Sequence, residues 1–208
     1  MIIAIDGAST DLSLAVAHPD GTLLGDDAWS SAQRQSAELL PHLLALLARV
    51  ERPLQDATAV AVGSGPGSFT GLRVAMALAK GLAAGLRLPI VGVPSLEAWL
   101  DADQDATAAV ARAGARDAYL LARGDDPPHI VDRDALDSAA VVVAAAEVAT
   151  AFGLIAARSP RGAAAIARRA AERLRADPAG DDLRTLEPIY LRAPRGVTAE
   201  SGEPVRWL

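Results

Sequence analysis

Residues 63–73 read Gly-Ser-Gly-Pro-Gly-Ser-Phe-Thr-Gly-Leu-Arg and separate two apolar segments of different periodicity. Before this turn, residues 58–62 form a short run of threonine, alanine and valine, which is typical of a buried strand. After it, residues 69–86 contain no proline and repeat alanine or glycine every three or four positions, as one face of a helix does. The stretch therefore predicts a strand, a tight glycine-rich turn and a long helix.

This turn has some features of a phosphate-binding loop and lacks others. Backbone N–H groups at the start of a helix attract anions, and glycines let a phosphate approach the backbone. The dinucleotide-binding fingerprint needs a further glycine where Thr70 stands, and a P-loop needs a lysine directly before serine or threonine. The residues alone leave two interpretations open, an anion site and a tight structural turn, and they favour the turn.

The rest of the first half surrounds this unit with elements in the order β-β-β-α-β-α-β. Pro19-Asp20-Gly21 is a turn signal between the second and third strands. The predicted strands are 2–5, 12–17, 22–24, 58–62 and 90–93, and the predicted helices are 36–50, 69–86 and a short one from Ser95. A meander followed by alternating helices and strands predicts an α/β fold of the actin-like (ASKHA), ribonuclease H-like class.

Three aspartates within residues 101–105 mark a polar break, which predicts an N-terminal subdomain 1–103 and a smaller C-terminal subdomain 104–208. Each is predicted to be a βββαβα-type unit. In the second, the predicted strands are 107–113, 117–122, 129–131 and 151–156, and the predicted helices are 134–148 and 162–176. The two halves share no sequence similarity visible by eye, so a duplication is predicted from element order alone.

The composition excludes several classes of protein. With 51% hydrophobic and 22% charged residues the chain is a packed globular protein, and the absence of cysteine removes thiolate catalysis and cysteine metal sites. No signal-peptide pattern is present and the longest apolar run, 139–146, is too short to span a membrane, so a cytoplasmic protein without membrane contact is expected. The net charge of −6 opposes general nucleic-acid binding.

Histidine and serine lack the spacing of a metal or nucleophile site. His18, His42 and His129 form no H-x-x-x-H pair, and Ser68 lacks the G-x-S-x-G setting of a hydrolase nucleophile. No catalytic residue, metal ligand or cofactor-binding residue is therefore predicted.

Asp6 is the one acidic residue placed where an actin-like enzyme would use it. It follows the first strand, where actin-like nucleotide-binding proteins have their first phosphate loop, but Ala8 replaces the usual glycine of that loop. An ATP-dependent phosphotransferase that uses Asp6 and the loop at Gly65 is kept as the alternative function.

Six arginines lie on or just before the last predicted helix. They are Arg158, Arg161, Arg168, Arg169, Arg173 and Arg175. Such a run usually forms a solvated helix face, and an RNA-docking surface is the less favoured interpretation.

The two long helices have more apolar or small surface than one domain needs. Leucines occupy two neighbouring faces of 36–50. In 69–86 one stripe contains Gly71, Ala75 and Ala79, and another contains Ala77, Gly81 and Gly85. Because glycine weakens a helix, its repeated use indicates close packing, either with a helix of another subunit or with the domain's own sheet or first helix. At least one of the two helices is expected to contact another subunit.

Together these segments resemble the TsaB (YeaZ) family, bacterial proteins of threonylcarbamoyladenosine synthesis on tRNA. The signature consists of Gly65, Pro66, Gly67, Ser68, Phe69, Thr70, Gly71, Leu72 and Arg73. Weaker matches follow in the right order at 3–6, 36–41 (SAELLP), 91–95 (VGVPS) and 187–192 (EPIYLR).

The resemblance implies an actin-like fold and a non-catalytic role. TsaB-like proteins pair through their first two long helices with a homologous TsaD-like transferase, which modifies the adenosine 3′ of the anticodon in tRNAs reading ANN codons. A small TsaE-like ATPase joins the assembly. By this resemblance the chain has no cofactor of its own, its partners use ATP, tRNA is reached mainly through the complex, and the isolated protein is a homodimer.

The residues expected to form this helical interface are Leu39, Leu40, Leu43, Leu44, Leu47, Gly71, Ala75 and Ala79. All eight are apolar or small, as at close helix contacts. Arginine at Leu43 or at Ala75 is expected to abolish pairing and to leave a folded monomer.

Overall fold

The computed structural model describes residues 1–31, 34–125 and 127–191, which form two five-stranded sheets with helices around them. The strands of the first sheet are β1 (Ile2–Asp6), β2 (Asp11–Ala17), β3 (Leu23–Ser30), β4 (Ala59–Gly65) and β5 (Ile90–Pro94). The helices of this half are α1 (Gln35–Arg49), α2 (Phe69–Leu86) and α3 (Ser95–Ala102). The strand order is β3-β2-β1-β4-β5, with β1 to β3 antiparallel and β1, β4 and β5 parallel.

The second sheet repeats this arrangement. Its strands are β6 (Ala108–Arg112), β7 (Asp117–Ala122), β8 (His129–Asp132), β9 (Val141–Val143) and β10 (Ala156–Arg158), in the order β10-β9-β6-β7-β8. The helices of this half are α4 (Ala146–Phe152) and α5 (Ala163–Ala176). With β6 in the place of β1, both sheets have an antiparallel meander on one side and parallel strands on the other. The repeated mixed sheet confirms the predicted α/β fold of the actin-like, ribonuclease H-like class.

The predicted helix at 134–148 is wrong. In its place the chain forms a 3-10 turn at Arg133–Ala135, strand β9 and the seven-residue helix α4. β9 consists of three valines and pairs in parallel with both β6 and β10. β-branched side chains lose rotamer freedom in a helix and pack well inside a sheet, so this central position favours the strand. The strand predicted at 151–156 forms later in the chain, as β10, because α4 occupies the start of the predicted range.

Different helices cover the two faces of the first sheet. α1 and α2 pack on one face over leucine, isoleucine and valine side chains. α5 packs on the other, where Ala163, Ala167 and Ala170 let it approach β1 and β2 closely. The division at residue 103 separates the two sheets, but α5, which the prediction placed in 104–208, completes the core of the first sheet. Residues 192–208 lie outside the described part of the chain.

The length and composition of α2 raise the question of membrane contact. Among the described residues it is the one helix that is, by length and composition alone, long and apolar enough to cross a membrane. It packs against β1, β4 and α1, and 33% of it is buried in the protein. Core helices of water-soluble proteins pass the same test, so the absence of membrane contact stays a prediction.

Candidate functional site

The signature turn interlocks with the loop that follows β1. The Ser68 amide donates a hydrogen bond to the Ala8 carbonyl at 2.7 Å. A Cβ on Gly67 would collide with that same carbonyl, and a Cβ on Gly71 would collide with the carbonyl of Gly7. The two loops can therefore approach this closely only because glycine stands at these positions.

The start of α2 already has internal hydrogen-bond partners. The Ser68 side chain caps the helix by accepting a hydrogen bond from the Gly71 amide at 3.3 Å, and the Leu72 amide donates to the Ser68 carbonyl at 2.9 Å. Three backbone amides at the start of α2, those of Ser68, Gly71 and Leu72, therefore donate to oxygens of the protein itself. Of the two open interpretations, the geometry matches the tight structural turn.

Asp6 is buried beneath this turn, and both of its carboxylate oxygens accept hydrogen bonds. Oδ1 accepts from the Ser95 hydroxyl at 3.1 Å and from the Ala8 amide at 3.2 Å, and Oδ2 accepts from the Trp99 indole at 2.6 Å. Burial raises the pKa of Asp6 above its ordinary value, and these hydrogen bonds oppose that rise. Trp99 is 93 residues from Asp6 in the chain, so no local pattern could have indicated this contact.

Two glycines close the space around this carboxylate. A Cβ on Gly162, just before α5, would lie 2.8 Å from Asp6 Oδ2 and 2.6 Å from the Trp99 ring. A Cβ on Gly63 would lie 2.5 Å from the Ser95 hydroxyl. The enclosure has no room for a nucleotide phosphate beside Asp6, which argues against the phosphotransferase alternative.

The three histidines lie apart in the fold. His18 follows β2, His129 begins β8, and His42 lies on α1. The His42 ring stacks on Trp29 with centroids 3.8 Å apart, and its Nδ1 lies 2.7 Å from a carboxylate oxygen of Asp27. Within residues 1–31, 34–125 and 127–191, no group of three or more histidine or acidic side chains is placed to hold a metal ion. The expectation that the chain has no cofactor stays a prediction.

The arginines on and before α5 brace the chain internally. The ion pairs are Arg158 with Asp103 and Asp105, Arg168 and Arg169 with Asp101, Arg169 with Glu97, and Arg173 with Asp181. Hydrogen bonds from the carboxylate partners raise the pKa of Arg158 and that of Arg169. Because most of the cluster is occupied in this way, the geometry does not favour it as an RNA-docking surface.

Most of the predicted interface residues lie in the core of this chain. Six of them are buried on the sheet-facing sides of α1 and α2: Leu39, Leu43, Leu47, Gly71, Ala75 and Ala79. Only the other two, Leu40 and Leu44, are exposed, by 42% and 50%. The expectation that arginine at Leu43 or Ala75 leaves a folded monomer must be corrected, because both sites are 0% exposed and a charge there has no partner.

The opposite sides of the same two helices form an exposed apolar surface, which we call the outer helix face. It comprises Leu40, Pro41, Leu44, Ala45 and Ala48 on α1 and Ala77, Gly81, Ala84 and Gly85 on α2. A Cβ on Gly81 or Gly85 would meet nothing within 4 Å, so internal packing does not require glycine there. Each glycine in an exposed helix costs about 1 kcal/mol relative to alanine. The outer helix face therefore keeps residues that disfavour the helix and have no internal use.

Comparison with known proteins connects this structure to one family. The family model described as TsaD, tRNA N6-adenosine threonylcarbamoyltransferase, matches residues 30–189. An uncharacterized protein of Mycobacterium tuberculosis (strain ATCC 25618 / H37Rv) is 34% identical over 202 residues, which are 93% of this chain and 92% of that protein.

Two further relatives bear the names TsaB and YeaZ. The tRNA threonylcarbamoyladenosine biosynthesis protein TsaB of Escherichia coli (strain K12) is 38% identical over 96 residues, 46% of this chain and 40% of that protein. The solved structure of YeaZ from Pseudomonas aeruginosa has a TM-score of 0.68 at 21% identity, covers 91% of this chain and 99% of its own, and shows a shared fold. The chain therefore belongs to the TsaD-like family that the model describes and, within it, to the TsaB (YeaZ) proteins.

Proposed function

We infer that this chain acts in tRNA threonylcarbamoyladenosine biosynthesis as a non-catalytic subunit that supports a TsaD-like transferase. The observation that carries the proposal is the outer helix face, an apolar surface that the chain does not use for its own packing. The names of the Escherichia coli and Bacillus subtilis relatives support the pathway. The enclosed carboxylate of Asp6 supports a role without chemistry at this position.

In this proposal a second pair of helices packs on the outer helix face. Ala77 and Gly81 let the backbone of another helix approach α2 closely, while Leu40 and Leu44 supply apolar side chains that fill the remaining gaps. A transferase of related fold would present an equivalent helix pair, so the contact would join four helices across a pseudo-twofold axis. Because such a surface is also complementary to itself, the isolated protein is expected to form a homodimer that competes with the partner.

In this proposal the partners supply the chemistry. The TsaD-like subunit transfers a threonylcarbamoyl group from its adenylate to the adenosine 3′ of the anticodon in tRNAs reading ANN codons, and a TsaE-like ATPase uses ATP. This chain contributes binding energy. A subunit that binds one conformer of the transferase better than another shifts the population toward that conformer, which is enough to activate it.

Reconstitution of the reaction tests the accessory role. Threonylcarbamoyl transfer to tRNA is measured with the TsaD-like, TsaE-like and adenylate-forming proteins, with and without this chain. We expect modified adenosine to form at an appreciable rate only when the chain is present. Equal rates in its absence would contradict the proposal, and ATP hydrolysis by the isolated chain, lost in Asp6→Ala, would favour the phosphotransferase instead.

A matched pair of variants tests the surface. Leu44→Arg places a charge at the most exposed leucine of the outer helix face, whereas Ile155→Arg introduces the same charge at an 84% exposed isoleucine beside the second sheet. Truncating or charging a central interface residue costs about 2 kcal/mol or more, so Leu44→Arg should weaken binding to the transferase by about 30-fold. Equal dissociation constants for the two variants would show that the transferase binds elsewhere.

A further inference from the structure

A groove between α2 and the end of the described chain lies beside the outer helix face and shares only Ala77 with it. Its second wall is formed by residues 181–191, which follow α5 and which we call the strap. The groove has a volume of about 350 Å³, and its lining includes Phe69, Arg73, Lys80, Arg184 and Tyr190. This volume lies within the range of roughly 300–1,000 Å³ that is typical of ligand sites.

The strap is fixed to the first sheet, so both walls of the groove are held in place. The Ile189 amide donates to the Ser64 carbonyl at 2.7 Å, directly before the signature turn. Farther back, the Gly92 amide donates to a carboxylate oxygen of Asp181 at 2.7 Å. The opposite wall is α2, which packs on the core. The groove is therefore formed before any ligand binds.

The groove combines cations with two aromatic rings, of which Phe69 is exposed and Tyr190 is half-buried. The Phe69 and Tyr190 rings lie 5.2 Å apart, and the Arg73 guanidinium carbon lies 5.1 Å from the centre of the Phe69 ring. Lys80 and Arg184 line the same groove. Aromatic rings stack on unpaired bases, and lysine and arginine neutralise phosphates, so this is the side-chain set that binds single-stranded nucleic acid.

The cations that line the groove outnumber the acidic side chains that the structure describes near it. Glu187 lines it, and Asp182 pairs with Arg184 at 3.1 Å. The Arg184 side chain is 87% exposed, and such surface pairs contribute little free energy, so Arg184 is available to exchange its partner for a phosphate. This contrasts with the arginines of α5, whose ion pairs join α5 to α3 and to the strap.

We propose that this groove binds a single-stranded segment of tRNA, with phosphates at Lys80 and Arg184 and an unpaired base against Tyr190. The proposal rests on the proposed function, because the transferase complex brings tRNA to the chain. Ala77 belongs both to the groove lining and to the outer helix face, so the groove opens beside the bound transferase. RNA in the groove would therefore contact both subunits. The net charge of −6 keeps the affinity of the isolated chain low.

Charge reversal in the assembled complex tests the phosphate contacts. Lys80→Glu and Arg184→Glu are compared with Arg116→Glu, which makes the same change at an exposed arginine beside the second sheet that also pairs with an aspartate. The dissociation constant for tRNA is measured as a function of salt concentration. Each groove variant should weaken binding by roughly fivefold at about 0.15 M salt and lower the salt slope by about one, whereas Arg116→Glu should change neither.

A ring variant tests the base contact separately. Tyr190→Leu keeps an apolar side chain against Phe69 but removes the aromatic surface. It should weaken tRNA binding by about fivefold or more without changing the salt slope, because stacking releases no counterions. The two kinds of variant together would identify a nucleic-acid strand in the groove. The charge variants should reduce the salt dependence of tRNA binding, whereas the ring variant should reduce only the affinity.

The outcomes that overturn this inference differ from those that overturn the proposed function. If the complex forms and its tRNA affinity is the same for the groove variants and Arg116→Glu, the groove does not bind tRNA. If the groove variants weaken the transferase contact and leave tRNA affinity unchanged, the groove holds an acidic protein segment instead. If no complex forms with the unaltered chain, the proposed function fails. The isolated chain is then titrated with tRNA at low salt, and equal affinities for Lys80→Glu and Arg116→Glu overturn the groove proposal as well.

Discussion

Two glycine-rich regions of α2 and its preceding turn have opposite surroundings. At the start of the helix, a Cβ on Gly67 or Gly71 would collide with the backbone of the loop after β1. On the outer side of the same helix, Gly81 and Gly85 face open space. The first region needs glycine because the chain packs against itself, whereas the second offers its small residues only to another molecule. A glycine repeat alone does not distinguish these uses, but the atoms around the missing Cβ do.

The largest loss of stability is expected from a substitution on the buried, sheet-facing side of α1. Leu43→Arg removes a fully buried leucine from the core and buries a charge without a partner. We expect a loss of at least about 4 kcal/mol in the free energy of unfolding, a large part of the stability of a domain. Leu44→Arg, one position away but half exposed, should keep the fold and lose only the stability that the homodimer contributes. Circular dichroism melts that coincide for the two variants would contradict the assigned sides.

The interlocked loops are tested by Gly71→Ala. Alanine normally stabilises a helix by about 1 kcal/mol relative to glycine. Here its methyl group would collide with the Gly7 carbonyl, and backbone atoms cannot move aside cheaply. The collision should outweigh the helix preference and lower the free energy of unfolding by about 2 kcal/mol, measured in urea. An increase in stability would show that the two loops are not locked together.

The first half of the chain could be predicted from its sequence because local signals agree with the tertiary contacts. The glycine turn and the Ser68 cap fix the start of α2, which runs over the predicted residues Phe69–Leu86. In the second half the signals conflict. The alanine- and valine-rich run around Val141–Val143 has the composition of either a helix or a buried strand, and only pairing with β6 and β10 selects the strand.

The candidate site was predicted less completely than the fold. The sequence indicated the two long helices but not which side of each is exposed, because leucine repeats at adjacent positions such as Leu43 and Leu44. The stripe with Ala77 and Gly81 was visible in the sequence, and its exposure became clear only once α2 was packed on the sheet. No local pattern indicates the contact of Trp99 with Asp6 or that of Tyr190 with Phe69, because each contact joins distant segments of the chain.

The stability of the protein should also depend on pH through Asp6, which is buried beneath the interlocked loops. Because burial raises the pKa of Asp6, the folded protein binds this proton more tightly than the unfolded chain does. The contribution of Asp6 to stability should therefore fall as the pH rises from the ordinary pKa of 3.8 through the folded value, and then remain constant. Asp6→Asn cannot ionise, so it should lack this fall.

Comparing the unaltered chain with Asp6→Asn isolates the contribution of Asp6 to the pH dependence of stability. The stability contributed by acids with a lowered pKa, such as Asp20 and Asp182, is lost as the pH falls. This loss is the same in the unaltered chain and in Asp6→Asn. At low pH the Asp6→Asn substitution should cost about 1–2 kcal/mol, because the NH₂ group of the asparagine cannot accept hydrogen bonds as the carboxyl oxygens do. The difference in free energy of unfolding, measured in urea between about pH 4 and about pH 8, should shrink as the pH rises. A constant difference would contradict the raised pKa.

The smallest and most selective effect is expected from Gly81→Ala on the open side of α2. Since the new methyl group meets no atom of this chain, alanine should raise the free energy of unfolding by about 0.5–1 kcal/mol. This is measured in a Leu44→Arg background, where the chain is expected to be monomeric. In the otherwise unaltered chain, the same methyl group would lie between two closely packed helices and weaken binding to the transferase by about fivefold. Thr150→Ala on α4, exposed and far from the outer helix face, should raise helix stability without affecting binding. A gain in the free energy of unfolding together with weaker binding to the transferase would show that Gly81 contacts the partner. A gain in both would show that this part of α2 lies outside the interface.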